Sequence, residues 1–244
     1  MYLNEPFKSS SVNQEKIHVP LGHSGKALWK NDEISNRIKQ YDSVGWQVAV
    51  HTQGDRAISE TLDAFEKSGI PKNSRHRLEH CLLPSKKAIQ RMVKLGVSPS
   101  FHINHLWYYG EALEDHIIGQ ERTDEILPLK SAENNSLIFS IHADQPMFES
   151  NPLSLLHTAV NRKTRYGNLF GKSNKIGVEQ GLKSLTINAA WQIKMENKIG
   201  SIKPGKYADF VILDQNPMMV DPEKIKDIHV LQTIVNGNIV YKKD

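Results

Sequence analysis

The chain holds a single cysteine, Cys81, in 244 residues. That excludes an intrachain disulfide and fits a reducing, cytoplasmic compartment. No apolar run approaches the ~18 residues of a membrane span, and Met1 to Ser11 lack the charged-then-apolar order of an export signal. Blocks of one charge are missing too. The 31 Lys and Arg are interspersed with 27 Asp and Glu, and the resulting +4 is too thin to argue for nucleic acid. There is no internal repeat and no low-complexity tract. With 39% hydrophobic and 24% charged residues, the composition is that of a globular protein and excludes a disordered one. What the chain does have is histidine, 11 of them.

Short β-rich runs alternate with amphipathic stretches, the pattern of an α/β fold with parallel strands. The β-rich runs are Trp46–His51, His76–His80, Val97–His102 and Leu137–Asp144. Helical patterns lie at Asp32–Val44, Arg56–Ser68 and Ser85–Leu95, with one or two more inside Tyr108–Asn134, then at Ser154–Arg165 and Glu179–Gln192. Breakers such as Gly45, Gly69-Ile70-Pro71 and Gly96 precede the strand-like runs. From about Lys198 the pattern changes. Ala208–Leu213, Val230–Val235 and Ile239–Lys242 read as a small antiparallel unit, with Asn236-Gly237 as its hairpin turn. The expected division is 1–195 for the α/β part and 196–244 for the β unit.

Side chains alternate along a strand, so parity sorts the faces. In the first run Trp46, Val48 and Val50 are fit to pack under helices, leaving Gln47, Ala49 and His51 opposite. The third and fourth runs oppose Phe101 and Phe139, Ile141, Ala143 to Ser98, Ser100, His102 and to Ser140, His142, Asp144. In the second run, parity with His80 turns His76 and Leu78 inward and sends Arg77 and Glu79, as an ion pair, toward the helix layer. This grammar suits successive strands of a (β/α) barrel, whose functional groups gather at the C-terminal strand ends. His51, His80 and Asp144 end three strands, and imidazole with carboxylate is a donor set for a zinc-type ion. From the residues alone they read equally as a metal site or as satisfied core groups. Asp55 is read as the N-cap of its helix, His105 as a loop residue near substrate or at the surface, and Cys81 as buried. His102 is read as substrate contact or packed polar group. Trp107, Tyr108 and Tyr109 line a pocket or simply pack. His18, His23, His116, His157 and His229 carry no functional context.

Four segments resemble the metal-dependent amidohydrolase superfamily, in its amidohydrolase-3 type, which includes formamide deformylase-like enzymes. They are Gly45-Trp46-Gln47-Val48-Ala49-Val50-His51 with Gly54-Asp55-Arg56-Ala57, then Arg75-His76-Arg77-Leu78-Glu79-His80, Ala143-Asp144-Gln145-Pro146, and the run from Lys198 to Phe210. The resemblance implies a partial TIM-type barrel, strands five to eight, followed by the small C-terminal β unit. It implies His51 and His80 as metal-binding histidines of strands five and six. Asp144 becomes the strand-eight aspartate, both metal ligand and general base. The implied reaction is hydrolysis of a carbon–nitrogen, non-peptide amide bond in a small-molecule substrate. The implied cofactor is a divalent metal, zinc first, with one or two ions in a complete site.

This sequence also departs from the family pattern. It has no His-x-His pair, the nearest approach being His102-Ile103-Asn104-His105, and it reads as the C-terminal half of an enzyme. His142 stands where the family has glycine, and it points the same way as Asp144. It is read, with His102 and His105, as a substrate-binding residue, or as an added ligand, or as a group crowding a disused site. Unpaired strand edges imply association, with an N-terminal half-barrel chain or as a homo-oligomer. The competing reading is a non-catalytic remnant or interaction module. Neither nucleic acid nor membrane is an expected partner.

Overall fold

A computed structural model of the chain describes residues 1–7 and 23–244. His18 lies outside them. The elements, in order, are α1 (Asn31–Asp42), β1 (Ala49–Thr52), α2 (Asp55–Ser68), β2 (Arg77–His80), α3 (Lys86–Leu95), β3 (Ser98–His102), α4 (Asn104–Ala112), α5 (Gln120–Thr123), α6 (Leu129–Asn134), β4 (Ser140–His142), α7 (Pro152–Asn161), α8 (Val178–Leu185), α9 (Ile187–Gln192), β5 (Phe210–Leu213), β6 (Val230–Val235) and β7 (Asn238–Lys242). Local chemistry sets several boundaries. Ser85 accepts from the Ala88 amide to start α3, and Gly96, left-handed at φ 69°, stops it. Asn151 caps α7 ahead of Pro152, whose missing N–H costs nothing at a helix start.

Strands β1 to β4 form one parallel sheet in sequence order. Leu78, Phe101, Phe139 and Ile141 pack from one side of it, with Leu62 and Phe65 of α2 and Ile89 and Met92 of α3 in the same buried cluster. Register fixes the opposite side: Ala49 pairs with Arg77, His51 with Glu79, Glu79 with Ser100, Ser100 with Ser140, and His102 with His142. This second face is polar throughout except at Ala49.

Parity reads β3 and β4 as they are built, but three expectations need correction. Arg77 and Glu79 do pair, at 2.9 Å, yet they sit on the polar face, while His76 and Leu78 face the helices. His76 stacks on Phe65 and its Nε2 lies 3.2 Å from Asp42 of α1. Trp46 precedes β1 and is 69% exposed, so only Val48 and Val50 pack under helices. Asp55 is the first residue of α2 rather than its cap; Gly54 takes that place. The Asp55 carboxylate instead accepts from the Asn4 amide and side chain, both at 2.9 Å, tying the N-terminal segment to α2.

At the end where the strands begin, α9 presses on the polar face through Gln192. Its side chain donates to Ser98 Oγ and the Pro99 carbonyl and accepts from Ser140 Oγ. Its carbonyl accepts from Gln47 and Arg77. The opposite end, where the strands finish, is left clear of this plug.

Strands β5, β6 and β7 form a separate antiparallel sheet. Asn236 and Gly237 both take positive φ, 49° and 80°, as a two-residue hairpin turn demands. Val211, Ile239 and Val240 of this sheet are exposed.

A fully buried side chain, Arg162 at the end of α7, ties three loop carbonyls together. Its Nε donates to the Phe170 carbonyl, Nη1 to Leu127 and Nη2 to Ile126. Replacing it leaves the Phe170 and Ile126 carbonyls without these donors, at ~1–3 kcal/mol each, while the Leu127 carbonyl keeps the Leu129 amide. Arg162→Met is therefore expected to lower unfolding free energy by about 2 kcal/mol or more in chemical denaturation. Arg162→Lys should recover little, because a single ammonium cannot span the guanidinium fork. An unchanged denaturation midpoint in either variant contradicts this role.

Candidate metal centre

The open end of the parallel sheet collects histidines because the register brings strand ends level. His102 ends β3 and His142 ends β4, directly paired, with rings stacked at 5.0 Å between centroids. His80 reaches the same place by a different route. On parity alone it shares the helix face with Thr52, its register partner. Its backbone, however, turns left-handed at φ 70° and swings the imidazole over the sheet's edge. There its ring meets His51 edge-on at 4.6 Å, His142 at 5.2 Å and His102 at 5.5 Å. Asp144, two residues past His142, is also left-handed, at φ 59°.

His80, His142 and Asp144 offer ligand atoms that all lie within 4.8 Å of one another. His51 stands beside His80 but outside that trio, and it is exposed at the free edge of the sheet. His102 is 1% exposed, with Nδ1 4.0 Å from an Asp144 carboxylate oxygen, too far for a hydrogen bond. His105 is buried in the first turn of α4, not on a loop. Its Nδ1 lies 3.1 Å from the His102 carbonyl and its Nε2 2.7 Å from the Gln53 amide nitrogen. With Gln53 donating, the ring proton belongs on Nδ1, so both nitrogens of His105 are occupied. Gln53 is a residue that sequence reading missed; it lies two positions beyond His51 and carries no motif.

Four other ring nitrogens at this end have no partner among the described residues. Buried and unbonded are Nδ1 of His80, both ring nitrogens of His102, and Nε2 of His142. Unpartnered lone pairs converging beside a carboxylate are what a cation site needs, and neutral imidazole is its ligand form. Burial, reinforced by the His51 and His142 rings, holds His80 at about 4. Burial and three neighbouring histidines hold His102 at about 2. Burial brings His105 to about 4 and lowers His142 as well. Cys81 is not part of this chemistry: buried, against Thr52 Oγ1, its thiol is pushed up to about 12. Tyr108 stacks on Phe148 at 4.6 Å and Tyr109 meets the same ring at 5.9 Å, forming an aromatic wall beside His102 and His105. Trp107 stands apart, edge-on to His157.

The amidohydrolase family model matches residues 2–241. The chain belongs to the amidohydrolase family. It is 26% identical over 246 residues to the N-substituted formamide deformylase of Arthrobacter pascens, covering 100% of this chain and 45% of that protein. To the protein LONG AFTER FAR-RED 3 of Arabidopsis thaliana it is 29% identical over 239 residues, covering 96% of this chain and 40% of that one. The crystal structure of a metal-dependent hydrolase from Pyrococcus horikoshii superposes with a TM-score of 0.76 at 24% identity, over 91% of this chain and 42% of the other, a likeness of fold. The chain spans less than half the length of these relatives.

The depressed imidazoles make stability depend on pH in a definite direction. An unfolded histidine binds its proton near pH 6.5, whereas these folded ones resist it down to about 4 or below. Between those limits the unfolded state binds more protons, so stability falls as pH falls. Thermal melts of the metal-free chain should show Tm dropping from pH 6.5 to 5, above the range of ordinary carboxylates. His102→Leu should flatten part of that slope. A constant Tm across this window would show that the rings protonate freely in the folded chain.

Proposed function

We propose that this amidohydrolase chain is the strand-five-to-eight half of a (β/α) barrel, residues 1–195, followed by part of a β-sandwich, 196–244, and that it cleaves non-peptide amide bonds in small molecules. The observation carrying this reading is the convergence of His80, His142 and Asp144 at the C-terminal ends of β2 and β4 in one parallel sheet, the place where barrels of this kind keep their chemistry. The orphaned nitrogens around them fit a cation better than they fit packed core groups, which speaks against the remnant reading.

In this proposal His51, His80 and Asp144 hold a divalent ion, zinc first in suitability for two imidazoles and a carboxylate. When bound, such an ion polarises a carbonyl and lowers the pKa of water at the site toward ~7. Asp144 does the proton work. Its side chain is 39% exposed at the mouth, able to take a proton from the attacking water and deliver it to the leaving nitrogen. His102, packed behind, keeps the carboxylate from turning away from the mouth. His105, fixed by Gln53 and the His102 carbonyl, lines the approach for substrate together with Tyr109 and Phe148.

The half-barrel reading draws on two uncovered surfaces. Strand β1 ends the sheet with no neighbouring strand among the described residues. Beside it runs an apolar cleft of about 450 Å³ between α1 and β1, lined by Leu28, Trp29, Tyr41, Val48 and Val50. The sheet β5–β7 exposes Val211, Ile239 and Val240. An N-terminal half supplied by other residues, or a second copy, would cover both. Without it the substrate is held from one side only, and small misplacement of a scissile group costs on the order of 100-fold in rate.

The test is turnover of N-acyl and N-substituted formamide substrates in matched zinc, with and without a polypeptide carrying the first four strands. Little turnover is expected from the chain alone and substantial turnover from the pair. Asp144→Asn should remove at least ~100-fold of it, the lower range of what a positioned general base contributes. Turnover by the pair that survives Asp144→Asn would overturn the assignment.

A further inference from the structure

We propose that His142 is a metal ligand in this chain. With His80 and Asp144 it forms a three-donor set within β2, β4 and the turns that follow them, needing no residue from outside the chain. This rests on reading the strand ends as a metal centre, and it adds a side chain to that centre.

Geometry separates His142 from three other histidines of the cluster. His51 is exposed at the sheet's free edge and stands outside the group of donors within 4.8 Å of one another. His105 has both nitrogens engaged, one by Gln53 and one by the His102 carbonyl. His102 sits deeper, almost fully buried, and its closest approach to the Asp144 carboxylate is 4.0 Å. His142 alone combines a buried, unpartnered Nε2 with membership of the close trio that contains His80 and Asp144.

Those two partners carry their own sign of a missing ligand. His80 is 9% exposed and keeps Nδ1 buried without a partner. Both His80 and Asp144 hold left-handed backbones that a non-glycine residue rarely adopts, and in both cases the turn brings the side chain to the mouth. The guanidinium of Arg77, the basic group nearest along this face, is engaged with Glu79, Gln47 and the Gln192 carbonyl, so it does not neutralise Asp144. Two imidazoles and a carboxylate with one side open are the donor set of a four-coordinate zinc that keeps a position free for water or substrate.

The experiment is titration of the metal-free 244-residue chain with Co²⁺ and Zn²⁺. Affinity is read by calorimetry and ligand geometry by the visible absorption of bound Co²⁺. The expected result is one ion per chain with a four-coordinate spectrum. His142→Ala should weaken binding by at least ~100-fold, the upper end of what loss of even an outer hydrogen-bond partner costs at a metal site. His80→Ala and Asp144→Ala should match it, while His229→Ala, at an exposed residue outside the cluster, changes affinity less than threefold. His142→Gln, which keeps the bulk of the ring, covers the case in which alanine disturbs folding, as melting curves will show. If His142→Ala and His142→Gln bind as tightly as the unaltered chain while His80→Ala does not, the assignment of His142 is overturned and the metal centre stands. If the unaltered chain binds no ion, the self-contained site is overturned. Metal uptake on adding the N-terminal half then decides separately whether the centre of the proposed hydrolase exists.

Discussion

A parallel strand can bring a side chain of the wrong parity to its mouth only by leaving the extended conformation, and β2 does so at its last residue. His80 turns left-handed and exchanges the helix face for the polar one. Such a backbone costs of order 1–3 kcal/mol where the residue is not glycine. It persists here because both sides of the turn are pinned. Cys81 beyond it is buried, with its amide donating to the Thr52 carbonyl, and Leu78 before it is locked into the core. The histidine cluster depends on that one turn. Without it His51, His102 and His142 would face a gap where β2 passes between them.

The two ends of the sheet are built from opposite chemistry. Where the strands begin, small hydroxyl side chains, Ser98 and Ser140, meet a glutamine that satisfies them and a carbonyl along with them. These donors and acceptors are matched, and α9 is held across β3 and β4 as a result. Where the strands finish, nitrogens of His80, His102 and His142 are buried without a partner among the described residues. Polar atoms buried without partners are costly enough that a fold removes them wherever nothing uses them. The gathering of four such nitrogens beside one carboxylate is what the proposed chemistry rests on.

The alternation of strands and helices, the apolar faces of β3 and β4 and the Asn236-Gly237 hairpin were legible because each depends on local pattern. Parity failed on β2 because it assumes an unbroken strand, and nothing in Arg77-Leu78-Glu79-His80 announces a left-handed terminus. Asp55 looked like a cap because its residue type favours one, yet Gly54 with φ 108° takes the cap position and the carboxylate is drawn to Asn4, 51 residues away. The pairing of His105 with Gln53 is likewise a contact across the sheet that no spacing encodes. His51, His80 and Asp144 were named by resemblance to a family. That His142 joins the last two more closely than His51 does is a matter of register between β3 and β4, visible only once the strands are paired.

Crowding five imidazoles around one carboxylate has a consequence for folding as well as for chemistry. Burial, and after it the neighbouring rings of His105, His142 and His80, hold His102 at about 2. The cluster therefore resists protons yet presents lone pairs, and a cation that accepts several of them at once meets no competing positive charge. A ligand bound only by the folded state stabilises it by mass action. On the proposed reading the metal thus offsets the desolvation of the same side chains that bind it, and the strained turns at His80 and Asp144 become the conformations the bound state selects. The chemistry of the mouth and the stability of the sheet beneath it are then two measures of a single interaction.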